Sequence, residues 1–391
     1  MKIVMVLGND FLKPFVDNRV YKEAKALVEK GNEVTVICWA RTIDNMSLNN
    51  LPITEKYENI NIIRVFQNIS QTSSPLFIRI LQHIIAFKKI SKMIKTIKPD
   101  VVHCHDFNTL LSIIFVKKKN TKIIYDSHED YPSMISDVCS PLTVTFSGCL
   151  EKIMVKLFTY AVITVCPQIA EKFQGYNVKT SVIMNCKNVS EYNIPDEEIH
   201  RTRLLLNAED KTMFLYIGSL GKYRGLEDLI NVFKEENCGN AFLIIGGNGV
   251  MKHDVMEKMG HVDNARFIGT LQADEIPLYT KSADVIVSLL DPAKESHRIA
   301  LPNKLFEAMA AGKPVIASKN TATADIVSNE KCGVIVQYGD AKKLHESIIY
   351  LTDKNVRKKL GYNSLKAAER EYNWKEQEKE LIKLYDELKG K

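Results

Sequence analysis

Short apolar runs that stop at glycine, acidic or histidine clusters, each followed by helical periodicity, recur along the chain and constrain its fold more than any other feature. Lys2 to Leu7 is apolar and ends at Gly8-Asn9-Asp10, Val20 to Glu29 has a helical pattern closed by Lys30-Gly31-Asn32, and Glu33 to Trp39 is apolar again. Strand, loop, helix and strand in that order open a doubly wound parallel sheet. Ligands of such sheets lie beyond the carboxyl ends of the strands, so Gly8, Asn9 and Asp10 are expected to face a crevice, with Gly8 allowing close approach of a phosphate or sugar. A plain tight turn fits the same residues.

Asp100-Val101-Val102-His103-Cys104-His105-Asp106 and Lys122-Ile123-Ile124-Tyr125-Asp126-Ser127-His128-Glu129-Asp130 share one design, an apolar strand ending in titratable groups. Such groups make poor core and good site residues, and two such ends outweigh a lone histidine. His105, Asp106, His128 and Glu129 are also metal-ligand types, but their spacings match no compact zinc motif, and no metal or other cofactor is expected. Asn61 to Phe66 reads as a strand and Pro75 to Lys98 as a long basic helix, either lying on an anionic membrane or packed with a solvated lysine face. A loop over Tyr131 to Ser140, a helix near Ser147 to Thr159 and two further strands complete a first domain, 1–187. The polar stretch 190–211 reads as the crossover.

The alternation restarts at Met213 to Ile217, which runs into Gly218-Ser219-Leu220-Gly221-Lys222-Tyr223-Arg224-Gly225, a loop that suits a phosphate or is simply a basic turn. Ala241 to Ile245 leads to Gly246-Gly247-Asn248-Gly249, which lacks the full dinucleotide fingerprint. The first βα turn lacks it too, which argues against a nicotinamide-dependent dehydrogenase. Leu301 to Ile316 is a short helix running into a buried strand, with Pro302 expected in the first turn and Gly312 closing the helix. Lys304 and Glu307 share one face, while Leu305, Phe306, Met309 and Ala310 serve the core. The helix start suits an anion, and a carboxylate one turn in can accept both hydroxyls of a ribose, so the stretch describes a nucleoside-diphosphate site. An amphipathic helix with solvated Lys and Glu has the same pattern.

With 391 residues, 45% of them hydrophobic and 26% charged, the chain is long enough for two full cores. A net charge of +6, dispersed along the chain, points weakly to an anionic partner and not to nucleic acid. The eight cysteines are scattered, with no Cys-x-x-Cys, as expected of buried thiols in a reducing cytoplasm. The first eight residues are too short for a signal-peptide core, and no run of about 18 uncharged apolar residues exists. The expectation is a cytoplasmic protein, at the inner face of the cell membrane if it meets a membrane at all.

Asp17-Asn18-Arg19-Val20, Tyr125-Asp126-Ser127-His128-Glu129, the Arg224-Gly225 loop and Pro302-Asn303-Lys304-Leu305-Phe306-Glu307, in this order along the chain, resemble glycosyltransferase family four. These are retaining enzymes of the GT-B fold, and the resemblance implies an α/β chain of two doubly wound, Rossmann-like domains facing across a cleft. It implies an acceptor-side domain over 1–187, a nucleotide-sugar domain over 188–371, and a last helix, 372–391, crossing back to the first. Glu307 would hold the donor ribose, Arg224 and Lys304 the phosphates, and His128 the transferred sugar. Gly8, Asn9, Ser219, Lys222, Gly246, Gly247, Ile268, Leu301, Pro302 and Asn303 would line the donor. Asp10, Arg19, His105, Asp106 and Glu129 would lie toward the acceptor. Two positions depart from the family pattern: Ile299 stands where a second Glu contacts the sugar, with Glu295 four residues earlier, and Ser219 stands where one of two phosphate-clamping cations belongs. The implied reaction moves a sugar from a nucleoside-diphosphate-sugar to a sugar or lipid-linked acceptor hydroxyl, in cell-surface polysaccharide or glycolipid synthesis. The rival reading is an inactive, transferase-like regulatory or scaffold subunit.

Overall fold

The computed structural model describes residues 1–12, 16–41, 51–67, 76–116 and 121–389. They form two compact α/β units, Met1–Ile183 together with Glu378–Lys391, and Met184–Gln377.

In the first unit the strands are β1 (Lys2–Leu7), β2 (Glu33–Arg41), β3 (Thr54–Tyr57), β4 (Ile60–Gln67), β5 (Val101–His105), β6 (Lys122–Ser127), β7 (Ala161–Thr164) and β8 (Lys179–Val182). They line up as β3-β4-β2-β1-β5-β6-β7-β8, and every pairing is parallel except the β3-β4 hairpin at the edge. Central β1 is covered on both faces, which is why Ile3 to Val6 are all fully buried and read as an unbroken apolar run. The order reverses between β1 and β5, so Gly8-Asn9-Asp10 and His105-Asp106 flank the switch point, where ligands of open α/β sheets bind.

The second unit holds β9 (Thr212–Ser219), β10 (Ala241–Asn248), β11 (Ala265–Phe267), β12 (Val285–Ser288), β13 (Val315–Ser318) and β14 (Gly333–Val336). The all-parallel order β11-β10-β9-β12-β13-β14 is that of a doubly wound nucleotide-binding sheet. Its switch point lies between β9 and β12. Helix Asn303–Ala311 enters β13 through Gly312, whose left-handed backbone (φ 69°) no β-branched residue adopts cheaply. The Gly312 N–H donates to Met309 O and the Lys313 N–H to Ala308 O, the two bonds of a Schellman cap.

Several expectations shift against this structure. The first unit closes at Ile183 rather than 187, because Met184 N–H donates to Gln377 Oε1 and Lys187 pairs with Glu307, both inside the second unit. Tyr131–Ile135 is a helix, not loop, and the next helix starts at Pro141, capped by Ser140. Asp196–Leu205 is helical within the polar crossover. The basic helix spans Leu76–Ile97, and its expected first residue, Pro75, lies outside the described residues. The last helix, Trp374–Lys389, begins in the second unit and ends in the first. Cys139 and Cys149 are exposed, whereas the other six cysteines are buried as expected.

Candidate functional site

In the second unit the pivotal element is helix Asn303–Ala311. Pro302 is its N-cap rather than a first-turn residue, and no side chain caps this end. Its leading N–H groups are therefore open to an exogenous acceptor. Every residue from Lys304 to Ala311 is buried, with Leu305, Phe306, Ala308 and Met309 packed on Met213, Leu215, Ile286 and Val315 of the sheet. Lys304 is 8% and Glu307 7% exposed, so the solvated amphipathic alternative does not describe this helix.

A buried ammonium needs compensation. Lys304 Nζ lies 3.3 Å from the centroid of the Tyr216 ring, a cation–π contact from the end region of β9. Tyr216 OH donates to Ser219 O at 2.7 Å and also meets the Arg224 side chain. Burial first and the charge of Arg224 second drive the Lys304 ammonium well below its ordinary pKa, while Glu307 opposes them. Two cationic side chains thus converge on one tyrosine at a bare helix N-terminus. An arriving anion would relieve both.

Beneath Lys304 the strand ends are tightly packed. A Cβ on Gly218 would sit 3.6 Å from Lys304 Nζ, and one on Gly247, whose φ is 145°, would fall 1.8 Å from Gly218 O. Gly246 packs against Ile268. One turn into the helix, Glu307 Oε1 lies 3.5 Å from Lys187 Nζ, both side chains nearly buried. Asn303 Oδ1 accepts from Asn185 Nδ2 at 2.8 Å. Leu301 packs beside the same core, while Ser219 ends β9 and Lys222 lies in the loop after it, both exposed. Glu295 is exposed and paired with Arg298, and Ile299 is partly buried.

The first unit carries a separate polar cluster at the ends of β5 and β6. Asp126 Oδ2 accepts from Arg19 Nε at 2.8 Å and meets His105 Nδ1 at 3.1 Å and His128 Nε2 at 3.0 Å, while Oδ1 accepts from Arg19 Nη2 at 2.8 Å. Arg19 also donates to Ile183 O and lies beside Glu23. His128 Nδ1 is 3.6 Å from Asp106, a residue with left-handed φ of 66°. Burial would raise the Asp126 carboxyl, but Arg19 and then His128 hold it well below the usual carboxylate range. Burial likewise opposes protonation of His128, yet Asp106 and Asp126 raise it to about 9, so it is an imidazolium at neutral pH. Burial pushes Glu23 up to about 7 against the attraction of Arg19. His103, whose Nδ1 meets Tyr385 OH at 3.0 Å, is driven far down by burial and by His105.

Glu23, His103, His105 and Asp126 together offer metal-ligand atoms within 4.8 Å of one another. The His103 and His105 rings stack at 4.3 Å and 24°, and Arg19 already pairs with Asp126 through two hydrogen bonds.

Of the sequence-derived candidates, Arg19, His105, Asp106 and His128 come together in the first unit, and Arg224 and Lys304 in the second, with Glu307 one turn along the same helix. Asp10 accepts from Arg64 Nε at 2.7 Å and from the Leu12 N–H at 3.0 Å. Glu129 points outward, with its carbonyl accepting from Ser127 Oγ, and Asn9 is exposed. Sequence reasoning assigned no role to Tyr216, Lys187 or Glu23, and counted His103 and Asp126 only among the titratable strand ends. Two signals were available: Arg19 and Glu23 are one helical turn apart, and His103 and His105 share one strand face.

Two family descriptions match the chain, "Glycosyltransferase Family 4" over residues 16–190 and "Glycosyl transferases group 1" over residues 197–367. An uncharacterized glycosyltransferase of Methanocaldococcus jannaschii is 29% identical over 93% of this chain and 91% of its own length. The alpha-monoglucosyldiacylglycerol synthase of Streptococcus pneumoniae is 25% identical over 77% of this chain and 69% of its own. The capsular polysaccharide biosynthesis glycosyltransferase CapM of Staphylococcus aureus is 28% identical over 50% and 51%. Among solved structures, the sucrose-phosphate synthase of Thermosynechococcus elongatus superimposes with a TM-score of 0.78 at 20% identity, covering 100% of this chain and 99% of that one. HepE of Anabaena in complex with UDP gives 0.73 at 16%, covering 99% and 100%. With two parallel-sheet α/β units of GT-B type and family matches over both halves, the chain belongs to the family-four glycosyltransferases.

Proposed function

We propose that this glycosyltransferase moves a sugar, with retention of anomeric configuration, from a nucleoside-diphosphate-sugar to a hydroxyl of a cell-surface polysaccharide or glycolipid acceptor. One observation carries the donor assignment: the buried Lys304 ammonium and Arg224 meet at Tyr216, beside an uncapped helix N-terminus, with the Glu307 carboxylate one turn further along. A diphosphate leaves with growing negative charge on its bridging oxygen, and fixed cations and N–H groups lower that barrier without reorganising. In this reading Glu307 takes the ribose hydroxyls and His128, as an imidazolium, contributes to the sugar. Resident metal chemistry is not part of it. The relatives in capsule and glycolipid synthesis support the acceptor class, and peripheral contact with the inner face of an anionic membrane goes with a lipid-linked acceptor.

Calorimetry with UDP, GDP and ADP tests the donor site. One of them should bind, and Arg224→Ala and Glu307→Gln should weaken it; no binding to any nucleoside diphosphate ends the proposal. The scaffold reading is favoured by Ile299 and Ser219 at family positions for Glu and a cation, and by Glu295 being paired with Arg298. Product formation from any nucleotide-sugar eliminates it.

A further inference from the structure

Helix Pro141–Phe158 has its polarity reversed. Its buried face carries Ser147, Glu151, Met154 and Val155, and Glu151 accepts from Tyr125 OH and pairs with Lys172. The opposite face presents Leu142, Phe146, Cys149, Ile153 and Leu157, all exposed. At 100° per residue these five fall within an arc of about 80°. Leu142 is 84% and Phe146 69% exposed, and Val138, on the segment leading in, is 83% exposed. Single apolar side chains on a surface are ordinary, whereas a continuous row is a contact surface.

The charges around the row select its occupant. Lys152 and Lys156 are exposed along one edge, the helix's one acid is the buried Glu151, and Asp137 is the sole exposed acid from residue 131 to 158. We infer that this helix is the docking surface for an anionic lipid bilayer, its apolar row lying at the acyl boundary and its lysines at phosphate level. A second copy of the chain fits less well, because a two-fold pairing of this face brings like charges together. No helix among the described residues is long and apolar enough to cross a membrane, so the row lies on the bilayer.

This deepens the membrane part of the reading above and moves it away from helix Leu76–Ile97. There the exposed apolar residues, Ile78, Leu81, Ile84 and Ile85, precede the exposed lysines 88, 89, 92 and 95 along the helix, so the two do not lie side by side.

The test uses the full chain with phosphatidylcholine vesicles, with and without phosphatidylglycerol. Cosedimentation is expected with phosphatidylglycerol only. A Phe146→Trp variant should shift its emission to the blue and be quenched by brominated acyl chains. The triple variant Leu142→Ser, Phe146→Ser, Leu157→Ser should lose more than about tenfold in vesicle affinity, since three apolar contacts vanish. It should keep wild-type thermal stability and donor binding. Charge reversal at Lys88, Lys92 and Lys95, added to the Phe146→Trp variant, should leave its emission shift in place. Absence of binding to phosphatidylglycerol vesicles, or undiminished binding by the triple variant, overturns the inference. So does a wild-type dimer in sedimentation that the triple variant dissolves. Donor calorimetry on the same proteins reports on the transferase reading independently.

Discussion

Glu307 is held by Lys187 at 3.5 Å in a nearly buried setting, an arrangement that fixes in advance the carboxylate proposed to take the donor ribose. Glu307→Gln keeps the shape and loses charge-assisted hydrogen bonds worth roughly 1.5–3 kcal/mol each, so donor dissociation constants should rise by about 10- to 100-fold. Lys187→Met takes away the ion-pair partner of that nearly buried carboxylate, and donor KM should rise more than kcat falls, with Lys187→Arg restoring most of the affinity. Arg224→Ala should do the reverse, lowering kcat by roughly 10²-fold or more with a smaller loss of binding, because its attraction grows as the phosphate leaves. Steady-state kinetics and calorimetry on the variants separate the patterns, and equal effects on KM and kcat at both positions contradict the assignment. His128 makes a pH prediction. Its folded pKa of about 9 lies above the ordinary value of 6.5, so its contribution to stability is complete below about 6.5 and is lost as pH rises through about 9. The stability gap between wild type and His128→Gln should therefore shrink from pH 6 towards alkaline pH; a gap that widens shows that His128 is neutral in the fold.

At the scale of elements, the site depends on where strands β9 and β10 stop. Gly247 cannot carry a side chain without displacing Gly218, which lies under Lys304. Gly247→Ala should cost on the order of 3 kcal/mol and weaken donor binding together with stability. Gly312→Ala, at the far end of the helix, should cost only about 1 kcal/mol and leave binding intact. Urea unfolding and donor titration of the two variants show whether strand ends or helix closure set the site. Such strand ends were legible in the sequence because both faces of these sheets are buried, so β1, β9 and β10 read as unbroken apolar runs with polar or glycine stops. The hairpin strand β3 was not, since Thr54–Tyr57 has no apolar alternation and is mostly exposed. Its signal is the turn, where Glu58 and Asn59 both have positive φ (43° and 65°). The helix Pro141–Phe158 was placed too late because its first two turns hold β-branched Thr143, Val144 and Thr145 followed by Ser147-Gly148, which read as non-helical. Lys187 and Tyr216 escaped for a different reason: a lysine near a domain end and a tyrosine within an apolar strand acquire roles only when distant segments fold onto helix Asn303–Ala311.

At the scale of the whole molecule, the chain leaves the first unit at Ile183 and returns to it only through its last helix, from Glu378 onward. That return is held by Leu381, Leu384, Tyr385 and Leu388, all buried, by Tyr385 OH at His103 Nδ1, and by Lys122 Nζ donating to Leu388 O. The surroundings of His103 in the first unit's polar cluster are therefore completed only after the entire second unit has been synthesised. Leu384→Ala should destabilise the first unit by about 2–5 kcal/mol, a large share of a typical domain's total. Tyr385→Phe removes one hydrogen bond and should cost about 0.5–1.5 kcal/mol. Because the residues proposed for the donor site, Lys187, Tyr216, Arg224, Lys304 and Glu307, all belong to the second unit, both variants should bind a nucleoside diphosphate as wild type does while turning over less donor. Denaturant unfolding followed by hydrogen exchange locates the loss: it should be concentrated in β5 and β6, with β9, β10 and β13 protected as before. Loss of protection in the second unit, or of nucleotide binding, would mean that the last helix supports the donor site directly.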